Sequence, residues 1–251
     1  AVEEPVSVDG IRIYVSASIG FCQHARSPGK TGAIWLQAAA TALREAQRRG
    51  PSAIRAFSDQ MRRDTQNRAE LREEVTQALD AGQIQPWFQP QISTDTGQIT
   101  GFEALARWKH PEFGWISPAE FIPIAESCGD VVGLGRSILK QACYHACELP
   151  EELKISVNLS VVQLHDDQLI DEVQDILELS GLTPSRLTLE VTESVIISDT
   201  VAVVERLNQL KRLGVSIALD DFGTGYSALS YLTKFKWNEL KIDRSFTEAA
   251  R

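Results

Sequence analysis

Four oxygen-bearing side chains and one lysine lie within or at the ends of short apolar segments of the chain. They are Glu103, Asn158, Glu190, Asp220 and Lys241. Grouped carboxylates repel one another unless a cation lies between them or one of them keeps its proton. Oxygen ligands without Cys or His are preferred by hard ions such as Mg²⁺, Mn²⁺ or Ca²⁺ rather than by zinc. These residues therefore predict a site for a hard divalent cation.

Asp220 is followed directly by a second acid, Asp221. Two adjacent carboxylates suit one metal ion or a two-metal site. A single acid at a strand end is more often a helix cap or a hydrogen-bonding group of a loop, but several in successive units favour a shared site. The histidines His110, His145 and His165 have neighbours typical of loops or helix surfaces and are predicted to lie outside the site.

The elements that must position these residues follow a repeating pattern of a short apolar strand and then a helix. Strands are predicted over 87–92, 99–107, 154–158, 187–191, 215–220 and 238–242. Helices are predicted over 166–180, 199–213 and 226–233. Strands that alternate with helices indicate repeated βα units and a parallel sheet. In a parallel barrel the carboxyl ends of the strands gather on one face, where active sites lie.

The first 81 residues show a different pattern, of strands around one helix and then a long charged helix. Strands are predicted at Val6–Val8, Ile11–Gly20 and Ser52–Phe57, with a tight turn at Asp9-Gly10 and an Ala-rich helix over 34–49. Residues 58–81 are charged, with apolar positions at helical spacing, and predict a linking helix.

Composition restricts the class of protein. A length of 251 residues suits one large barrel or two unequal domains. The net charge of −9 argues against binding of long nucleic acid, because such binding depends on basic side chains that contact phosphates. No apolar run is long enough to cross a bilayer, and no secretory signal opens the chain. The four cysteines lack the spacing of a zinc site or a disulfide framework, so we expect a cytoplasmic location.

The segment Glu103-Ala104-Leu105-Ala106-Arg107-Trp108 resembles the motif that gives the EAL phosphodiesterase family its name. Further matches occur in that family's order and spacing at Gln89-Pro90, 118–126, Ser156–Ser160, Leu189–Ser194, Asp220–Ser227 and Leu240–Asp243. The resemblance covers residues 82–251 and implies an α/β fold, a (βα)8 barrel of the TIM type. It also implies metal-dependent hydrolysis of cyclic di-GMP to linear diguanylate, with Mg²⁺ or Mn²⁺ as cofactor.

The resemblance implies a role for each matching residue. Metal ligands would be Glu103, Asn158, Glu190 and Asp220, with Asp221 completing a second site. Lys241 would hold and polarise the attacking water, and Glu193 would brace the loop over 221–227, which also forms a homodimer contact. Arg107 would bind a substrate phosphate, and Gln89 would lie against the nucleotide.

Residues 1–57 resemble the C-terminal part of a GGDEF-type diguanylate cyclase domain, on Ile13–Gly20, 38–50 and Ile54–Phe57. The expected organisation is therefore a partial cyclase-like domain over 1–57, a linking helix over 58–81 and the phosphodiesterase domain over 82–251. The EAL family continues past Lys-Ile-Asp with two further βα units that carry the expected general base.

This chain ends at Arg251, so we expect an incomplete barrel of about six of eight strands and a fragment truncated at both ends. The 251-residue chain alone is then expected to be inactive and prone to aggregation. An upstream membrane anchor in a longer parent protein is left open by the sequence.

Two other functions are compatible with parts of the pattern. The chain could belong to a non-catalytic receptor that binds cyclic di-GMP and signals by a conformational change. Receptors of this kind often lose metal ligands, whereas every ligand position in this sequence is intact, which favours the enzyme. An unrelated metal-dependent barrel that acts on sugar phosphates would require the order of the motifs to be a coincidence.

Overall fold

The computed structural model describes residues 6–8, 11–13, 15–23, 32–48, 50, 52–193, 200–223 and 235–248. The chain divides into two compact units, Ala1–Glu73 and Glu74–Arg251. The division falls within helix α2 (Asp59–Asp80), which occupies the position predicted for the linking helix. Within the described ranges, no helix is long and apolar enough to span a bilayer.

The first unit contains two small strand pairs and a helix. Strands β1 (Val6–Val8) and β2 (Ile11–Ile13) pair antiparallel, and β3 (Ile19–Phe21) and β4 (Ile54–Ala56) pair parallel. Helix α1 (Gly32–Arg48) packs so closely on β3 that a Cβ atom added to Gly20 would lie 2.0 Å from the Leu43 nitrogen. Only glycine fits there.

The strand predicted over Ile11–Gly20 is wrong as one element. Its two ends form β2 and β3, and residues 15–18 between them have no regular structure. The physical reason is that the two ends pair with different strands, β1 and β4, so the backbone leaves one ladder before it joins the next. The turn predicted at Asp9-Gly10 lies outside the described residues.

The second unit is organised around one mixed sheet. Its strands are β5 (Ile84–Ile92), β6 (Ile99–His110), β7 (Gly114–Ile116), β8 (Lys154–Asn158), β9 (Leu187–Thr192), β10 (Ser216–Phe222) and β11 (Glu239–Ile242). The order is β11-β10-β9-β8-β6-β5, with β7 paired to the far end of β6. Strands β6, β8, β9, β10 and β11 run parallel, whereas β5 and β7 run antiparallel to β6.

Helices connect the parallel strands, as the βα pattern predicts. They are α3 (Pro118–Cys128), α4 (Val131–Cys147), α5 (Val161–Leu164), α6 (Leu169–Ser180) and α7 (Thr200–Arg212), with a 3₁₀ turn at Pro184–Arg186. A further helix, α8 (Arg244–Glu248), follows β11. Helix α4, which contacts β8, β5 and β6, buries an apolar stripe that includes Leu134, Ile138 and Ala142. The helix predicted over 226–233 lies outside the described residues.

The six strands predicted for this unit are all present, and the α/β class is confirmed. Strand β7 was not predicted, because three residues that begin with a Gly do not show an alternation of apolar and polar residues. Strands β5 and β11 are the outer strands of the sheet, and among the described residues no ladder joins them to each other. The parallel strands place their carboxyl ends on one face, which is where the predicted site must lie.

Candidate metal centre and active site

Five polar side chains from five strands meet at the carboxyl ends of the sheet. The strand register places these side chains at similar heights along their strands. Asn158 pairs with Glu190 on β9, and Glu190 pairs with Ala218, two residues before Asp220. One ligand oxygen from each of Glu103, Glu190 and Asp220 lies within 4.8 Å of the other two. The Asn158 Nδ2 donates to Glu103 Oε1 at 3.0 Å.

The Lys241 ammonium is the cation of this cluster. Its Nζ lies 2.9 Å from Glu103 Oε2, 2.5 Å from Glu190 Oε2 and 3.4 Å from Asp220 Oδ2. Hydrogen bonds and charge from Glu190 and then Glu103 raise the pKa of Lys241, even though its burial acts in the opposite direction. The lysine therefore remains protonated and partly neutralises the three carboxylates.

Glu190 is the most buried acid of the cluster. It is 1% exposed, in a strand that is buried on both faces. Burial raises the pKa of Glu190 to about 7, and the Lys241 ammonium only partly opposes that rise. Its Oε1 atom is buried and has no hydrogen-bond partner within the described part of the chain. A buried carboxylate oxygen without a partner is costly unless a further cation or donor satisfies it.

This donor set fits a hard divalent cation. Three carboxylates and one amide supply only oxygen ligands, since Asn158 can offer its Oδ1 while its Nδ2 contacts Glu103. The unpartnered Glu190 Oε1 is an oxygen that such an ion would satisfy. Three of the predicted ligands, Glu103, Glu190 and Asp220, therefore lie close enough together to share one metal ion.

Asp221 follows at a distortion of β10. The ladder with β11 shifts register between Leu219 and Phe222, so β10 carries one extra residue here. Asp221 has φ of 53°, a left-handed conformation uncommon for residues other than glycine, and its N–H bonds Asp220 Oδ1 at 2.9 Å. Such bulges turn side chains toward sites at strand ends. Burial and then the charge of Asp220 raise the pKa of Asp221.

Glu193 directly follows the end of β9 and is buried. Its Oε2 accepts the Gly223 N–H at 3.4 Å, which ties it to the segment that follows Asp221. Only residues 221–223 of the predicted loop are described, and 224–227 lie outside the described residues. The predicted homodimer contact is thus untested.

Gln89 and Arg107 lie on the neighbouring strands β5 and β6. Gln89 is exposed on β5 and pairs in register with Glu103 of β6. Arg107 lines a cavity of about 380 Å³ beside the site, which Asn158 and Glu126 also line. Its Nη1 donates to the Ala106 carbonyl at 2.9 Å. A guanidinium at the wall of such a cavity can bind an anionic ligand.

His110 is a residue that the sequence interpretation missed. It is buried at the end of β6, 4% exposed, and its Nε2 bonds Glu74 of α2. The neighbours of His110 in sequence resemble those of a loop, and its partner lies 36 residues earlier. No local pattern could have indicated this contact.

Comparisons with known proteins agree with this geometry. Residues 72–251 match the family described as the EAL domain. The bifunctional diguanylate cyclase/cyclic di-GMP phosphodiesterase MucR of Pseudomonas aeruginosa is 36% identical over 98% of this chain and 36% of its own length. The cyclic di-GMP phosphodiesterase NbdA of the same organism is 34% identical over 98% of this chain and 32% of its own length.

A solved structure, the MucR phosphodiesterase in complex with c-di-GMP, has a TM-score of 0.68 and 41% sequence identity. The match covers 72% of this chain and 76% of the chain of the solved structure. The chain spans about a third of the length of the curated relatives that it matches.

Proposed function

This chain belongs to the EAL domain family, and we propose that it hydrolyses cyclic di-GMP to linear diguanylate with a divalent ion, Mg²⁺ or Mn²⁺. The observation that carries the proposal is the meeting of three carboxylates, an amide and an ammonium at one face of the sheet. The names of MucR and NbdA, and the c-di-GMP complex of the similar structure, support the choice of substrate.

In this proposal Glu103, Asn158, Glu190 and Asp220 hold one ion, and Asp221 contributes to a second. When bound, such ions lower the pKa of water and neutralise charge on phosphate oxygens. The chain's own contribution is to fix four oxygen ligands on separate strands, so that they need no rearrangement during the reaction.

The other predicted residues act on the water and the substrate. The Lys241 ammonium, held among the carboxylates, would donate a hydrogen bond to the attacking water and orient it toward the phosphorus. Arg107 would bind a phosphate oxygen at the cavity wall, and Gln89 would lie against the nucleotide. Glu193 would hold the segment after Asp221 in place through its bond to Gly223.

We further propose the organisation that the sequence indicates outside this site. Residues 1–57 would be the C-terminal part of a GGDEF-type domain, supported by helix α1 packed on the parallel pair of β3 and β4. The loop over 221–227 would contact a second copy in a homodimer. The four cysteines, none of which forms a disulfide, support a reducing, cytoplasmic environment.

The test is formation of linear diguanylate from cyclic di-GMP by the full-length native protein with Mg²⁺ or Mn²⁺. Glu103→Gln should reduce turnover by about 10²-fold or more, because it removes a charged ligand from the ion. Glu152→Gln, an exposed acid after α4, is the matched control and should leave turnover unchanged. Tight binding of cyclic di-GMP in Ca²⁺ with no product in any metal would instead identify a receptor.

A further inference from the structure

We propose that His110 is a positioning residue for Arg107, and that its bond to Glu74 fixes the substrate-binding end of β6 to helix α2. This inference rests on the proposed function, because it assumes that Arg107 binds the substrate phosphate. Nothing in the sequence pattern of the active site assigns a role to either His110 or Glu74.

Both ring nitrogens of His110 are used. Nδ1 accepts the backbone N–H groups of Glu112 and Phe113, each at 3.1 Å, so Nδ1 carries no proton. The proton is then on Nε2, which donates to the Glu74 carboxylate. The ring also stacks on Phe113, with centroids 4.6 Å apart, and contacts the edge of buried Trp108. One neutral imidazole therefore closes the turn between β6 and β7 and joins it to α2.

The helix side of this contact is held by its own packing. Val75 and Ala78 follow Glu74 in the next turn of α2 and are buried, with 0% and 2% exposure. Thr76 Oγ1 donates to Asp130 Oδ2 at 2.8 Å, which ties α2 to the start of α4. The Glu74 side chain, 46% exposed, therefore extends to His110 from a helical turn whose neighbouring residues are buried.

The segment after α2 holds the same end of β6. The Lys109 N–H donates to the Gln83 carbonyl at 3.2 Å, and the Trp108 indole N–H donates to Gln83 Oε1 at 3.4 Å. Three consecutive residues of β6, at 108, 109 and 110, thus bond to the stretch 74–83. Arg107 is the residue immediately before these three.

A strand end held at three successive residues leaves little freedom to the residue immediately before them. His110 lies about 10 Å along β6 from Arg107, at about 3.4 Å per residue. A guanidinium fork binds phosphate in a narrow range of orientations, so small rotations of its strand reduce affinity. Loss of the His110 contacts should therefore weaken substrate binding. The carboxylate cluster should stay intact, because Glu103 lies nearer the start of β6.

The experiment measures the Kd of cyclic di-GMP in Ca²⁺, together with KM and kcat in Mg²⁺, in the full-length native protein. His110→Ala should raise Kd and KM about tenfold, equivalent to about 1.4 kcal/mol, and change kcat less than about twofold. His110→Asn keeps an acceptor near the position of Nδ1 and should recover part of the affinity. Glu74→Ala should weaken the affinity for cyclic di-GMP, because it removes the acceptor for Nε2–H. Glu74→Gln keeps an acceptor and should bind nearly as tightly as wild type.

Three controls separate positioning from a general loss of stability. Val173→Ala removes a buried methyl pair in α6, remote from β6, and should lower stability without raising Kd. Glu73→Ala removes an exposed acid from the same helix and should change neither. Hydrogen exchange at the amides of Glu112 and Phe113 should accelerate in His110→Ala and stay slow in His110→Asn.

A Kd that is unchanged in His110→Ala, with faster exchange at the turn, would overturn the positioning role and leave only a structural one. An equal rise of Kd in Val173→Ala would overturn it as well. If the wild type bound no cyclic di-GMP, the proposed function would fail. Exchange at the Arg107 amide would then decide whether His110 holds that strand end: acceleration in His110→Ala supports it, and no change refutes it.

Discussion

Replacing Lys241 with methionine keeps the aliphatic side chain and removes the ammonium from between Glu103, Glu190 and Asp220. The three ligand oxygens would then lie within 4.8 Å of one another with no cation among the described residues. We expect the metal-free protein to lose stability sharply and the metal to restore it. This substitution tests whether the Lys241 ammonium neutralises the three carboxylates when no metal ion is bound.

The magnitude follows from the geometry. Two unit charges 4.8 Å apart repel by about 3.5 kcal/mol at an effective dielectric constant of 20. Removing one partner of a buried ion pair typically costs about 3–5 kcal/mol. The Lys241 side chain is 26% exposed and that of Glu190 is 0% exposed, so solvent screens the group weakly. We therefore expect a loss of about 3 kcal/mol, which lowers Tm by about 6–12 °C in a unit of this size.

The assay is thermal unfolding in EDTA and over a titration with Mg²⁺. A bound ion stabilises by RT ln(1 + [L]/Kd), and the ion should stabilise Lys241→Met more than wild type, because no ammonium competes for the oxygens. Lys154→Met is the matched control, since Lys154 Nζ also lies 3.4 Å from a carboxylate, Glu239 Oε1, but both side chains are exposed. That surface pair should contribute less than about 1 kcal/mol.

Catalysis gives the second measurement on the same variants. Lys241→Met and Lys241→Ala should abolish turnover and leave the Kd of cyclic di-GMP in Ca²⁺ nearly unchanged, because in the proposed function the lysine acts on the water rather than on bound substrate. A metal-free Tm equal to that of wild type would refute the electrostatic reasoning. Unchanged turnover would remove Lys241 from the mechanism, and a raised Kd would make it a binding residue.

Four further outcomes follow from the structure. Burial raises the pKa of Glu190 to about 7, and an ion binds its ionised form, so the affinity for Mn²⁺ should rise about tenfold from pH 6 to pH 8; calorimetry that shows no change would contradict this. Protonated Glu190 contributes to the free energy of unfolding of the metal-free protein, and this contribution should be lost as the pH rises from about 4.5 through 7. Burial raises the pKa of Cys143 to about 12, so a thiol reagent at pH 8 should label exposed Cys147 and reach Cys143 only on unfolding; rapid labelling of both would refute its burial. Arg186 donates to the carbonyls of Ala146, Pro150 and Leu153 at 2.7, 3.0 and 2.9 Å, and Arg186→Met should cost about 2–3 kcal/mol in urea unfolding; a loss under about 0.5 kcal/mol would show that these bonds are not coupled to the fold.

The sequence was sufficient for elements whose pattern is local. Strand β8 was predicted with its observed bounds, because an apolar run between polar residues is typical of a buried strand. The site residues could be found for the same reason, since Glu190 interrupts such a run and a buried acid there needs a partner. The break between β2 and β3 could not be predicted, because it depends on which strands they pair with. The burial of His110 likewise depends on Glu74, which is distant in sequence.

The geometry of the site also explains why the sheet must curve. Strands β6 and β11 are separated by β8, β9 and β10, so a flat sheet would hold them about 19 Å apart at about 4.8 Å per step. The Lys241 Nζ nevertheless lies 2.9 Å from Glu103 Oε2, 138 residues away in the chain. At the opposite ends of the strands, Lys154 of β8 contacts Glu239 of β11 at 3.4 Å, where a flat sheet would need about 14 Å.

Two side chains of ordinary length cannot span those gaps, so the sheet is rolled at both ends into the arc of a barrel. The twist of a parallel sheet favours this direction of curvature, and the charged contacts fix its extent. The carboxylates are therefore brought together by the rolling of the sheet rather than by any local turn. A cation among these carboxylates, whether ammonium or metal, in turn stabilises the rolled sheet. Ion binding is therefore coupled to the curvature of the whole sheet.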